Sequence, residues 1–288
     1  MTAENIPERE TIPGYQIQSK IASGGTAVVF KAKDIKNNRL VALKILYPKT
    51  VLNKTLLNRF IKEAKLLIKF NHPNIVKGFN AGTFNNLYFL VMEYVEGKSV
   101  GELLKEQGTL KEDMAIDIIL QTAQALDYMQ NQCIIHRDIK PDNLLYLDVT
   151  RIIKLCDLGF AHQIGSGRQG LSDTTCGTPQ YMSPEQAKGQ PDLDVRSDIY
   201  SLGATLYHLV TGETPFKGSD NLEIMAKQVL DELQSDEIKN RRFSPLTLYF
   251  IEKMMAKEKE IRYQNAREVI EDIQTQLSGY RSLEFKPE

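Results

Sequence analysis

The stretch "IIHRDIKPDNLLY", residues 134–146, places Asp138, Lys140 and Asn143 within six positions, and a second acid, Asp157 of "DLG", follows fourteen positions after Asn143. A positioned carboxylate can take or orient a proton. A lysine beside it can offset negative charge that develops during a reaction. The oxygens of Asn143 and Asp157 are hard ligands suited to Mg²⁺, which is held through few protein groups and completes its shell with water or phosphate oxygens. A polar, N-capped loop between two elements is the bland alternative, and a poor competitor for this set.

Two further features point the same way. Lys44 ends "VALK", a strand-like run, where a lone lysine is usually a solvated edge. Glu63 in "RFIKEAKLL" lies three positions after Phe60 and four before Leu67, so its carboxylate emerges on or beside the apolar face of a helix. A buried carboxylate needs a cation, and Lys44 is the candidate; a carboxylate snorkelling at the edge of that face is the alternative. In "IASGGTAVVFKA", residues 21–32, the two glycines are adjacent. Thr26 and Ala27 follow them, so no Gly-Lys-Ser/Thr runs into a helix, and Val28, Val29 and Phe30 predict a strand instead. A glycine hairpin between strands remains, and alone it reads as an ordinary turn using Gly24 and Gly25 for positive φ.

These residues need elements to hold them. From "YQIQSKIA" to "RLVALKIL" the pattern is of short strands, with "KNNR" as a turn between two of them. A helix is predicted over about Lys54 to Phe70, then strand-like runs in "NIVKGFNAG" and "LYFLVMEYV". Beyond "EGKS" the texture turns helical: Thr109 and Glu112 read as a capping box, ahead of a stripe of Ala115, Ile118, Ile119, Thr122, Ala125, Leu126 and Met129. The expected architecture is α+β, a β-rich part with one main helix and a larger α-helical part, with a crevice near "EYVEGK". Thirty-six basic against 37 acidic residues, a formal charge of −1 over 288 residues, give no electrostatic case for nucleic acid. Cys133, Cys156 and Cys176 are too dispersed for a zinc pattern and read as reduced thiols, which suits a cytoplasmic setting. No run is long and apolar enough to predict a membrane segment.

With the glycine loop, the strand lysine, H-R-D-x-K-x-x-N and D-L-G in this order, the chain resembles the eukaryotic-type (Hanks-type) serine/threonine protein kinases over about residues 15–275. Its texture is most like the bacterial members. The resemblance implies a two-lobed protein-kinase-like fold: a flexible 1–11, a β-rich N-lobe over 12–92, a hinge at 93–98, and a C-lobe over 99–288 with an activation segment at 157–185. It implies ATP as phosphoryl donor with Mg²⁺, or Mn²⁺, on Asn143 and Asp157. Asp138 would accept or orient the substrate hydroxyl proton and Lys140 would meet the γ-phosphate. Lys44, paired with Glu63, would meet the α- and β-phosphates. The loop aligns to G-x-G-x-x-G-x-V as Ala22, Ser23, Gly24, Gly25, Thr26, Ala27, Val28 and Val29, keeping only the middle of the three glycines. Met92 would be the gatekeeper, Glu93 and Val95 the adenine-binding hinge, and Val29, Ala42 and Leu145 the adenine walls.

The resemblance also implies structural and regulatory roles. Thr178 would hydrogen-bond near Asp138 and Lys140, Glu185 would pair with Arg262, and Asp198 would brace the catalytic loop. Arg137 implies control by phosphorylation at Thr174, with Ser172 and Thr175 as neighbours and His162 as a second cation. The implied partners are protein substrates with Ser or Thr acceptors, and self-association for trans-autophosphorylation. A pseudokinase serving as a nucleotide-binding scaffold is the principal alternative; a small-molecule kinase is another, against which "GTPQYMSPE" argues.

Overall fold

The computed structural model describes residues 12–164, 177–233 and 243–284, with side chains to residue 279. Two compact units emerge: residues through Gly97 together with Cys156–Gly159, and Lys98–Leu155 together with the chain from Phe160 onward.

The first unit is built on a five-stranded antiparallel sheet of β1 (Tyr15–Ser23), β2 (Ala27–Asp34), β3 (Arg39–Leu46), β4 (Gly78–Phe84) and β5 (Leu87–Glu93), in spatial order β1-β2-β3-β5-β4. Strand alternation sends Val28, Phe30, Ala32, Val41, Leu43, Ile45, Phe89 and Val91 into one buried cluster. The opposite face carries the candidate lysine, Lys44. Val29 lies across from Lys44, and Ala42 across from Met92, so these four share that face. The turn between β2 and β3 is closed by Asp34, which accepts from the Asn37 backbone at 3.1 Å and its side chain at 2.7 Å.

After a single turn, α1 (Pro48–Val51), the main helix α2 (Lys54–Lys69) starts at Asn53, whose side chain accepts from the amides of Thr55 and Leu56. Phe60, Glu63, Ala64 and Leu67 form its buried stripe at helical spacing, so a carboxylate is carried inward among apolar side chains.

The second unit is mainly helical. Its strands are short: β6 (Lys98–Ser99), β8 (Leu144–Leu147) and β9 (Ile152–Leu155) make one sheet, and β7 (Ile134–Ile135) pairs with β10 (His162–Gln163). Helices α3 (Val100–Gln107), α4 (Glu112–Gln130), α5 (Pro184–Ala187), α6 (Val195–Thr211), α7 (Asn221–Leu230), α8 (Pro245–Met254) and α9 (Ala266–Glu284) follow in chain order. The seven stripe residues of α4 are all buried. Helix α6 is buried on nearly every side and is the internal post of the unit.

Two readings of local sequence are corrected. Helix α4 is capped by Lys111, without a side-chain bond, and not by Thr109. Glu112 is instead drawn to the start of α8, where it accepts from the amide and hydroxyl of Ser244 and the hydroxyl of Thr247; a tertiary partner outcompetes the local box. The capping box of this region is Ser99 with Glu102, at the head of α3. The second correction concerns Gly24 and Gly25, neither of which has a left-handed φ. The turn therefore does not need glycine for its backbone. No helix of the described residues is long and apolar enough to cross a membrane.

Candidate active site

In the second unit a tight cluster forms around Asp138, which follows β7 and is 3% exposed. Lys140 Nζ lies 2.8 Å from Asp138 Oδ2 and donates to Thr178 Oγ1 at 2.7 Å. Thr178 Oγ1 donates in turn to Asp138 Oδ1 at 2.8 Å. Asn143 sits in a one-turn 3₁₀ segment, Pro141–Asn143, and its amide nitrogen donates to Asp138 O at 2.8 Å and Oδ2 at 3.0 Å. Both carboxylate oxygens are thus fixed, and the atom Asn143 has to offer a cation is its amide oxygen.

The backbone under this cluster is held from several sides. Asp198, near the start of α6, accepts from the amides of His136 and Arg137, both at 2.7 Å. Burial pushes the Asp198 carboxyl up, while His136, Arg137 and these two bonds pull it back. Arg137 adopts a left-handed φ of 69°, a conformation a non-glycine residue holds only where its surroundings enforce it. Gln186 Nε2 donates to Arg137 O at 2.9 Å, and the Asp138 amide donates to His136 Nδ1 at 3.2 Å. Gly177 completes the frame: its φ is 127°, and a Cβ there would stand 2.7 Å from Arg137 O.

Glu185, in α5, makes a bidentate pair with Arg262 at 2.7 and 2.9 Å and also accepts from Ser197 Oγ at 2.8 Å. Burial alone would raise this carboxyl, but the guanidinium beside it holds it below the ordinary glutamate range.

In the first unit Lys44 Nζ reaches both oxygens of Glu63, at 2.7 and 2.8 Å, and stands 4.0 Å from Asp157 Oδ1. Burial opposes charge on Lys44, yet Glu63 and Asp157 outweigh it and hold the lysine above its ordinary value. Asp157 belongs to this unit through Cys156–Gly159 and, at φ 60°, is another non-glycine residue in the left-handed region. Its side chain is 44% exposed and so open to a ligand. Ala22 and Ser23 end β1, Ala27 opens β2 and is buried, and the Gly24 amide donates to the Ala27 carbonyl at 3.0 Å. A Cβ on Gly24 or Gly25 would meet nothing within 4 Å.

Val29, Met92, Glu93, Val95 and Leu145 are part-exposed, and Ala42 is buried. His162 lies opposite Ile135 in the β7–β10 pair. Ser172, Thr174 and Thr175 lie outside the described residues. Sequence reading passed over His136, Gly177, Gln186 and Ser197. For Gln186 and Ser197 the usable signal was a polar residue in the first turn of a helix, in "SPEQA" and "VRSDIY".

A model of the protein kinase domain matches residues 15–273. This chain belongs to the protein kinase domain family. It is 36% identical over 260 residues to a probable serine/threonine-protein kinase of Clostridium perfringens, covering 90% of this chain and 38% of that protein. It is 33% identical over 265 residues to the serine/threonine-protein kinase PknB of Mycobacterium tuberculosis, covering 90% and 42%. To PrkC of Bacillus subtilis, also a serine/threonine-protein kinase, it is 35% identical over 271 residues, covering 93% and 41%. The chain therefore spans about two fifths of the length of the curated relatives it matches.

Proposed function

We propose that this chain is the catalytic domain of an ATP-dependent serine/threonine protein kinase. The observation that carries this is the closed cluster of Asp138, Lys140, Asn143 and Thr178, in which a carboxylate, a cation and a hydroxyl are hydrogen-bonded in a ring. Such a ring suits transfer of a phosphoryl group, where positioning and electrostatics carry most of the catalysis.

Asp138 orients the acceptor hydroxyl and takes its proton. Lys140, held beside it, offsets charge on the transferred group, and Thr178 keeps the two in register. Lys44, fixed by Glu63, meets the α- and β-phosphates of ATP. Gly24 brings backbone amides close to the phosphates; Ala22, Ser23, Gly25, Thr26 and Ala27 shape that loop. Val29, Ala42, Met92, Glu93, Val95 and Leu145 enclose the adenine. Asn143 and Asp157 would hold Mg²⁺ or Mn²⁺. Among the described residues no three His, Cys, Asp or Glu side chains converge to cage a metal, which fits an ion that relies on phosphate oxygens for part of its shell. When bound, that ion would neutralise phosphate charge.

Protein substrates, activation by phosphorylation at Thr174 or its neighbours Ser172 and Thr175 with Arg137 and His162 as the receiving cations, self-association and a cytoplasmic setting belong to the same proposal. The four residues whose loss would mark a binding-only relative, Lys44, Asp138, Asn143 and Asp157, are all present. The test is incubation with Mg²⁺ and labelled ATP, with phosphosites mapped by mass spectrometry. Label on Ser or Thr is expected, and Asp138→Asn should cut turnover by about 10²–10⁴-fold while ATP still binds. Turnover reduced less than about tenfold by that substitution would sink the assignment.

A further inference from the structure

The chain's formal charge of −1 hides a division. Residues 12–97 hold thirteen Lys and Arg against four Asp and Glu, whereas residues 98–288 hold 22 against 30. Between Asp34 and Glu93 the only acid is Glu63, which is 3% exposed and spent on Lys44. The first unit is therefore strongly basic and attracts polyanions.

The end of the sheet that carries the β1–β2 turn shows which kind of polyanion it suits. Leu46, the last residue of β3, lies across from Ala27, so α1 and the link to α2 stand at that end. The Tyr47 amide and Thr50 Oγ1 both donate to the Thr26 carbonyl, at 2.9 and 3.0 Å, and tie this link to the turn. Leu52, between α1 and α2, is 86% exposed, and Ile21, near the end of β1, is 48% exposed. Lys20, Lys49 and Lys54 flank them in sequence and are all exposed. Lys54 opens α2, whose first turn has no acidic residue. A cation there opposes the helix dipole, so the stability of the helix does not explain it.

Lysines around protruding aliphatic side chains suit an anionic bilayer, where apolar tips reach the boundary between headgroups and acyl chains and the cations lie among lipid phosphates. A nucleic acid is better met by arginine forks and stacking aromatics. Eleven of the thirteen cations are lysines, and both exposed tips are aliphatic. We propose that this end of the first unit docks on an anionic lipid surface, with Leu52 entering the interface and Lys20, Lys49 and Lys54 against the headgroups. Because Thr26 belongs to the glycine loop, a docked surface would bias that loop; this consequence rests on the kinase reading, whereas lipid capture does not.

The test is co-sedimentation of the whole chain with vesicles of phosphatidylglycerol in phosphatidylcholine, against phosphatidylcholine alone. It needs no ATP, so it stands or falls apart from the kinase reading. Capture by the anionic vesicles only, weakened by salt, is expected. Lys49→Glu with Lys54→Glu should weaken it about tenfold or more, with the Tm unchanged or raised because α2 gains an acid in its first turn. Leu52→Asp should weaken it about tenfold. Lys105→Glu with Lys217→Glu, exposed lysines of the second unit, change the net charge equally and should leave capture intact. No capture, equal capture by neutral vesicles, or equal loss in the second-unit variant overturns the proposal. Two other occupants would also overturn it: double-stranded DNA, seen as tighter binding than to any vesicle, or a second copy, seen as concentration-dependent self-association abolished by the same first-unit substitutions.

Discussion

At the scale of single residues, Thr178 is the member of the Asp138 ring that touches both partners, accepting from Lys140 and donating to Asp138. Thr178→Ala removes a charge-assisted bond from each, about 1–3 kcal/mol, and should lower kcat by about 10–100-fold with little change in the KM for ATP. Thr178→Ser should recover most of that loss in the same steady-state assay. Gly24 has a different logic. With no left-handed φ and no protein atom within 4 Å of where a Cβ would stand, the fold is indifferent to a side chain there. Gly24→Ala should leave the Tm nearly unchanged and raise the KM for ATP, because only a phosphate would meet the new methyl. The two alanines of this loop are unequal. Ala22 is exposed, whereas Ala27 is buried in β2, so Ala22→Gly is the clean way to ask whether added slack improves nucleotide binding. Tighter ATP binding in Ala22→Gly is the expected result of a direct titration.

At the scale of elements, the Glu185–Arg262 pair ties α5 to the segment after α8, with both side chains almost wholly buried. Arg262→Met leaves a buried carboxylate without its cation and should cost about 3–5 kcal/mol in denaturant unfolding. The pH dependence follows from the direction of the shift. Since folding lowers the Glu185 pKa, the pair's contribution is complete above the ordinary glutamate value of 4.5 and is lost as pH falls through the lower folded value. Glu185→Gln should flatten that acid limb. Elements of this kind were legible to different degrees. The helix over about Lys54 to Phe70 and the α4 stripe were plain because burial followed the helical period. Lys44 and Glu63 could be paired on paper because one carboxylate sat on an apolar face. The capping box at Thr109 failed since Glu112 found partners 132 to 135 residues away, which no local pattern encodes. Gly177 and Gln186 escaped notice for the same reason: what they serve is the carbonyl of Arg137, set by tertiary packing. The grouping of Cys156–Gly159 with the β-rich unit is likewise invisible to composition.

At the scale of the whole molecule, the chain has nearly equal numbers of acids and bases and spans two fifths of its relatives, so its control must be sought in specific contacts rather than in net charge. If phosphorylation of Thr174 or its neighbours passes between copies, the initial rate should rise fourfold when the concentration doubles; a merely doubled rate would mean each chain modifies itself. One brace described above bears on how the molecule comes into being. The loop that presents Asp138 takes its shape from Asp198, sixty-one and sixty-two residues downstream of the amides it receives. Contacts that distant form late in folding. At a synthesis rate of roughly 5–20 residues per second the delay is roughly 3–12 s, and a nascent chain that has not reached α6 carries the full "IIHRDIKPDN" stretch on an unbraced loop. The order of translation thus leaves the Asp138 loop without this brace until α6 has been made.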